Sequence, residues 1–275
     1  MREIWSNYLA GSLISMSAAL TCCFTIAPVI QAQDFSSGRW VDLTHAFTEQ
    51  SIYWPTAETF RKTTVSEGYT EGGYYYSAFK FSAAEHGGTH IDAPVHFAEG
   101  RHSVDQIPVQ QLVGAAVVID IKEKARNDRD YQLSVQDVLA WEKEHGRLPS
   151  DIILLINTGS SDFYSDRKKY MGTAKRGEEG VSELSFPGIH PEAATFLAQQ
   201  RKIKAVGLDT PSIDYGRSKK FESHVILYKK NIPGFENVTN IDLLPAKGSI
   251  VFALPMKIEG GSGGPLRIVA FIAEK

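Results

Sequence analysis

The sequence predicts one domain of mixed α/β class, a layered mixed sheet with helices. Three observations carry that reading. Near-continuous apolar runs at 113–121 and 152–156 have the length and composition of buried strands. Helical patterns at 134–145 and 190–202 alternate with them, and a further short apolar run follows at 205–209. From residue 33 onward there is no internal repeat, no Pro/Ser-rich linker and no shift in composition, so nothing divides the chain.

The first 32 residues differ in kind. Arg2 precedes an apolar stretch, 13–30, which gives way to polar residues at Gln31, and Ala32 is a small residue suited to cleavage. This order reads as a secretory signal peptide at 1–32, leaving a domain at 33–275 that is periplasmic or secreted. Pro28 and the interspersed Ser and Thr favour removal over retention as an anchor, so no membrane contact is expected after cleavage. Cys22 and Cys23, the only two cysteines, fall inside the leader. Disulfides, thiolate chemistry and Cys-ligated zinc are thereby excluded from the mature domain.

Residues 39–45 pattern as a first strand, followed by Tyr53-Trp54-Pro55 in a loop. The aromatic alternation of 74–81 is strand-like. The helix at 134–145 has Ser134 as N-cap, Asp137 in its first turn and Gly146 at its end. The polar, Gly-containing stretch 160–183 reads as a long surface excursion near the site, of lid type. Pro191 occupies the first position of the next helix, and 223–230 form another. Strands at 248–254 and 267–272 flank Gly260-Gly261-Ser262-Gly263-Gly264-Pro265. No helix follows this loop, so it reads as a flexible, hairpin-like connection rather than a phosphate cradle.

The chemistry concentrates in Glu85-His86-Gly87-Gly88-Thr89-His90-Ile91-Asp92-Ala93-Pro94-Val95-His96-Phe97, which holds three of the eight histidines. Imidazole and carboxylate together are the ligand set for Zn, Mn or Fe. Gly87 and Gly88 permit a sharp turn, while Pro94 forbids a regular helix. In an extended segment the even-numbered His90, Asp92 and His96 project to one face, and His86 joins them through the glycine turn. Two histidines and a carboxylate leave positions on an ion open for water and substrate.

The run His86-x-Gly88-Thr89-His90-x-Asp92-x-Pro94-x-His96 resembles the signature of the cyclase-like metal-dependent hydrolases, a family that includes bacterial kynurenine formamidases and isatin hydrolases. The segments 188–194 and 206–214 look like the family too, so the resemblance covers nearly all of 40–273. It implies a swivelling β/β/α fold and a homodimer. It also implies one or two divalent ions per subunit, Zn or Mn. His86, His90 and Asp92 would hold the first ion. Asp92, His224 and Glu236 would hold the second, with Glu236 shared. His96 would be the general acid/base rather than a ligand, and Trp54 would line the substrate pocket.

A formal net charge of −3 and a pI near 6.3, with scattered Lys and Arg, give no footprint for nucleic acid or an anionic membrane. The expected activity is hydrolysis of a carbon–nitrogen bond (amide, N-formyl or cyclic amide) in a small aromatic substrate. A metal-dependent lyase or cyclase acting by proton abstraction is the alternative, and a non-catalytic metal binder the third. His96, a titrating group beyond the ligand count, argues for catalysis, with an acidic limb expected near the pKa of histidine.

Overall fold

Strands made of Val, Ile and Leu on both faces must be covered on both faces, and the architecture follows from that demand. The computed structural model describes residues 35–274, and the leader expected at 1–32 lies outside the described residues. The strands are β1 (Gly38–Asp42), β2 (Arg61–Tyr69), β3 (Tyr75–Ser82), β4 (His90–Asp92), β5 (Val113–Asp120), β6 (Gln132–Leu133), β7 (Ile153–Asn157), β8 (Gly188–Ile189), β9 (Ala205–Leu208), β10 (Gly234–Glu236), β11 (Lys247–Pro255) and β12 (Gly263–Ala273). β5, β7 and β9 lie parallel, with Ala116 opposite Ile153 and Ile153 opposite Ala205. β10 extends that parallel set, and β4 pairs antiparallel with β10 on one side and with the start of β12 on the other. The mixed sheet therefore closes on itself, with β1 added along the far half of β12.

Alternation along the strands sorts the apolar side chains into two cores. Ala116, Val118, Ile153, Leu155, Ala205, Phe235, Val251 and Ile268 fill the inside of the closed sheet. Val117, Ile119, Leu154, Ile156, Val206 and Leu208 face outward and are covered by Val138, Trp141, Ala193, Ala194, Leu227 and Tyr228. These come from the helices Val135–His145, Pro191–Phe196 and Glu222–Tyr228. Leu155 is fully buried, and truncating such a leucine to alanine typically costs about 2–5 kcal/mol.

The first of these helices starts as its sequence dictates. The Asp137 amide donates to Ser134 Oγ at 3.3 Å and the Ser134 amide donates back to Asp137 Oδ2 at 2.7 Å, a reciprocal cap. Gly146 ends the helix with φ 87°.

Three local expectations change, and one strand went unread. The stretch 61–69 is a strand, β2, unmarked in the sequence because its Lys, Thr, Ser and Glu bury nothing; it pairs only with β3, as a hairpin standing off the barrel. The stretch 160–183 is not a lid: it contains the helices Arg167–Met171 and Gly177–Ser182, and Tyr170 and Met171 are fully buried. The Tyr170 hydroxyl donates 2.8 Å to Asn237 Oδ1, pinning the excursion to the barrel mouth. The Gly-rich 260–265 is no loose connection, since Gly263, Gly264 and Pro265 pair with Asp92, Ile91 and His90. Pro94–His96 is a turn of 3₁₀ helix with proline at its start, so His96 leaves the extended run that carries His90 and Asp92.

Candidate metal centre

The three-residue strand β4 sits at the seam of the barrel and carries two of the proposed ligands, His90 and Asp92, one on each side of Ile91. Gly88 enters it at φ 59°, a left-handed turn closed over by the Phe47 ring, where a β-carbon would lie 2.5 Å from Phe47 Cε1. That turn folds His86 back, so its Nδ1 stands 2.7 Å from Asp92 Oδ1. Gly263 on β12 leaves room for the same ring: a β-carbon there would meet His86 Cε1 at 2.6 Å.

The neighbouring strand β10 presents Glu236, and the helix Glu222–Tyr228 presents His224. His224 Nε2 lies 3.4 Å from Asp92 Oδ2 and 3.2 Å from Glu236 Oε1, and His90 Nε2 lies 3.4 Å from Glu236 Oε2. All five residues expected from the sequence thus converge. They form two overlapping triads, His86–His90–Asp92 and Asp92–His224–Glu236, each with ligand atoms within 4.8 Å of one another. Asp92, not Glu236, is the residue the two triads have in common.

The electrostatics fit a cation between them. Burial alone would raise Asp92, but the imidazoles of His86, His224 and His90 hold it well below the usual carboxylate range. Burial would lower His224, yet Asp214, Asp92 and Glu236 together lift it well above its ordinary value. Burial, reinforced by the Asp92 charge, raises Glu236. In the metal-free protein these groups share protons, and a divalent ion takes the place of those protons. One atom marks the gap: His90 Nε2 is buried, 3.1 Å from Asp92 Oδ1, and makes no hydrogen bond. The donor set of nitrogen and carboxylate oxygen fits a divalent transition metal.

Each imidazole is oriented by a second partner. His90 Nδ1 donates to the Gly88 carbonyl at 3.0 Å, which leaves Nε2 as its ligand atom. His224 Nδ1 stands 2.5 Å from Asp214 Oδ2, and Tyr228 donates its hydroxyl to Asp92 Oδ2 at 3.1 Å. His86 Nε2 is 2.9 Å from Ser262 Oγ, which in turn donates to Glu85 at 2.6 Å. Asp214, Tyr228 and Ser262 had no role in the sequence reading. Asp214 lay in a stretch noted only for its likeness, and Ser262 in glycines taken for a loose loop.

His96 stacks on His86 with centroids 3.9 Å apart, at the wall of a cavity of about 270 Å³ beside the ligands. Burial pushes its imidazole down to about 4, against the pull of Asp92 upward, so the acidic limb expected near histidine's ordinary pKa has no support here. Trp54 lines the same cavity, with Phe97, Phe221, Ile52 and Pro211. Phe221 takes a left-handed backbone, φ 49° and ψ 44°, just ahead of the His224 helix. Its ring lies 5.2 Å from Phe97 and 6.3 Å from Trp54.

A closed mixed sheet with a paired histidine–carboxylate cluster at its seam, opening on an aromatic cavity, defines a divalent-metal enzyme scaffold. The chain belongs to the cyclase family, whose model, described as "Putative cyclase", matches residues 41–215. Among its relatives is the isatin hydrolase of Roseibium aggregatum, 29% identical over 212 residues, covering 74% of this chain and 78% of the relative. The kynurenine formamidase of Bacillus cereus is 27% identical over 233 residues, covering 85% and 97%. The solved structure of isatin hydrolase A from Ralstonia solanacearum superposes with a TM-score of 0.77 at 32% identity, covering 85% of this chain and 92% of that one.

Proposed function

We propose that this chain is an exported, metal-dependent amide hydrolase that opens a neutral cyclic amide fused to an aromatic ring. The observation that carries the reading is the cavity wall. Beside the ligand cluster Trp54, Phe97, Phe221, Ile52 and Pro211 line it, and among the described residues its lining contains no lysine or arginine. Burying a carboxylate without a counter-cation is costly, so an N-formyl amino acid meets nothing in the protein to neutralise it. A flat, uncharged lactam fits between Trp54, Phe97 and Phe221 without that cost.

His86, His90 and Asp92 would hold one divalent ion, and Asp92, His224 and Glu236 a second, each Zn or Mn. A bound ion of this kind supplies Lewis acidity toward a carbonyl oxygen and lowers the pKa of water from about 15.7 to roughly 7. His96, neutral because of its burial, accepts on an imidazole nitrogen the proton of the attacking water and returns it to the leaving nitrogen. The carbon–nitrogen bond breaks, one water oxygen stays on the carbonyl carbon, and the nitrogen leaves as an amine. Asp214 and the Gly88 carbonyl keep His224 and His90 with the correct nitrogen forward. The apolar order of residues 13–30 and Ala32 support export, and the resemblance to the cyclase-like hydrolases supports a homodimer.

The deciding measurement is kcat/KM on isatin, N-formylkynurenine and simple anilides, with metal analysis on the same preparation. The cyclic amide should be the preferred substrate by at least a factor of ten. Preference for N-formylkynurenine overturns the substrate assignment. In ¹⁸O-labelled water the product should carry one solvent oxygen, and its absence would point to a lyase. A periplasmic fraction whose protein keeps Met1 would overturn export with cleavage.

A further inference from the structure

We propose that the pocket between the helix Lys122–Asn127 and the turn after β7 is a binding site for a small, phosphate-type oxyanion. It lies outside the metal centre. Four cations, Lys122, Arg126, Arg129 and Lys169, and one carboxylate, Asp162, line this cavity of about 110 Å³. A single water needs roughly 10–15 Å³, so several non-hydrogen atoms fit. The chain as a whole carries a net charge of −3, so this concentration of positive charge runs against its background. A cleft lined by one sign of charge gathers the opposite ion.

The backbone sets these cations in place. Gly159 turns with φ 76°, and a β-carbon on it would lie 2.7 Å from Lys122 Cε, so the lysine stem crosses the turn where glycine leaves room. That turn also brings the Thr158 and Ser160 hydroxyls, 2.6 Å apart, to the same wall. Arg129 is held by neutral acceptors: Nε donates to the Ser185 carbonyl at 2.6 Å, and Nη2 donates to the carbonyls of Lys169 and Tyr170. Three carbonyls fix the guanidinium without cancelling its charge. Burial lowers its pKa, with Asp130 pulling the other way. Among the described residues the Arg126 side chain has no hydrogen bond or ion pair. Lys122 is 3.5 Å from Asp162 and Lys169 is 3.7 Å from Asp166, solvent-facing pairs of the kind that contribute little. An oxyanion here would accept from guanidinium and ammonium donors at once, the chemistry by which phosphate is recognised. The size of the cavity favours a free anion over the phosphate of a larger ester.

Isothermal titration of the metal-loaded protein with inorganic phosphate, at fixed ionic strength, tests this. One phosphate per chain should bind at this pocket with a Kd of about 1 mM or tighter. Lys122→Gln with Arg126→Gln should weaken that binding at least 10-fold, since each lost charge-assisted hydrogen bond typically costs about a factor of 10. Arg126 is exposed and Lys122 partly so, and melting of the phosphate-free variant should match the wild type. Arg126→Gln alone, at a side chain without partners, should shift the affinity in the same direction. Lys229→Gln with Lys230→Gln removes the same charge from another exposed surface and should leave the affinity unchanged. Equal weakening by both pairs would reduce the effect to net charge and overturn the site. Phosphate binding that the first pair leaves intact would belong to the metal centre and overturn it too, as would no binding at about 10 mM. Glycerol 3-phosphate should bind more weakly than phosphate; tighter binding would overturn the assignment to a free anion.

Discussion

Replacing Asp214 by asparagine changes one atom and tests the logic of the metal centre. Asp214 Oδ2 accepts from His224 Nδ1 at 2.5 Å and from the His224 amide at 3.1 Å, while Oδ1 accepts from the Ser223 amide at 3.2 Å and the Ser218 hydroxyl at 3.3 Å. Every one of these contacts wants an acceptor. Asparagine has one oxygen and one NH₂ group, so one side of the carboxyl site must face a donor with a donor. If the NH₂ group turns to His224, the imidazole swaps its proton to Nε2 and aims N–H at Asp92 and Glu236, where a lone pair is needed. If it turns the other way, the backbone at Ser223 loses its acceptor inside a buried turn. Removing such an orienting partner typically costs 10–100-fold in metal affinity, about 1.4–2.7 kcal/mol. Titration of Mn or Zn against a competing chelator should show that loss mainly at the ion proposed for His224 and Glu236. Melting of the metal-free variant separates this from general destabilisation. Unchanged affinity at both sites would refute the argument that Asp214 fixes the ligand nitrogen.

Three further outcomes are expected. Gly263→Ala places a β-carbon 2.6 Å from His86 Cε1, so metal stoichiometry at the His86 triad should fall and the melting temperature drop; full occupancy at wild-type stability would show the ring can yield. His96→Ala should keep its metal, measured by elemental analysis, while kcat falls about 10²- to 10⁴-fold; loss of metal would make His96 a ligand. His45 stacks on Tyr164 at 3.6 Å and burial lowers its pKa from 6.5 to about 4. The unfolded chain then binds a proton between those pH values that the folded chain refuses, so stability falls as pH drops from 6.5 to 4 and levels off below. His45→Phe should flatten that slope by about 1–2 kcal/mol after allowing for partial exposure, read from urea unfolding across pH; an unaltered slope would place the effect elsewhere.

The legible parts of this protein were those whose cause is local. Apolar runs at β5, β7 and β9 and the Ser134–Asp137 cap depend on neighbours in sequence, and each formed where the pattern put it. The clustering of His86, His90 and Asp92 was legible because histidine, aspartate and glycine at fixed spacing have few other uses, whereas His224 and Glu236 came only from the family resemblance. What stayed hidden depends on contacts between distant segments. The two glycines that open β12 look like slack until Asp92 and Ile91 are seen pairing with them. Tyr170 and Met171 looked like part of a polar excursion until Asn237 supplied a partner for the tyrosine hydroxyl. The bend at His96 was missed for a different reason: proline rules out an α-helix but opens a 3₁₀ turn readily, and the even-numbered spacing favoured a straight strand.

The seam where the barrel closes has a further consequence for how the protein comes to be made. β4 finds its partners only in β10 and β12, which lie near the other end of the chain, and β12 must also receive β1. Contacts between such remote segments form late, because the loop-closure entropy must be met before they return anything. A nascent chain that has emerged only through Asp92 has His86, His90 and Asp92 but no Glu236 to bridge toward and no Gly263 to seat the His86 ring. Ion capture at full affinity is thus a signal that the two ends of the domain have met. A chain truncated before β12 would compete poorly for metal, leaving scarce ions to finished molecules.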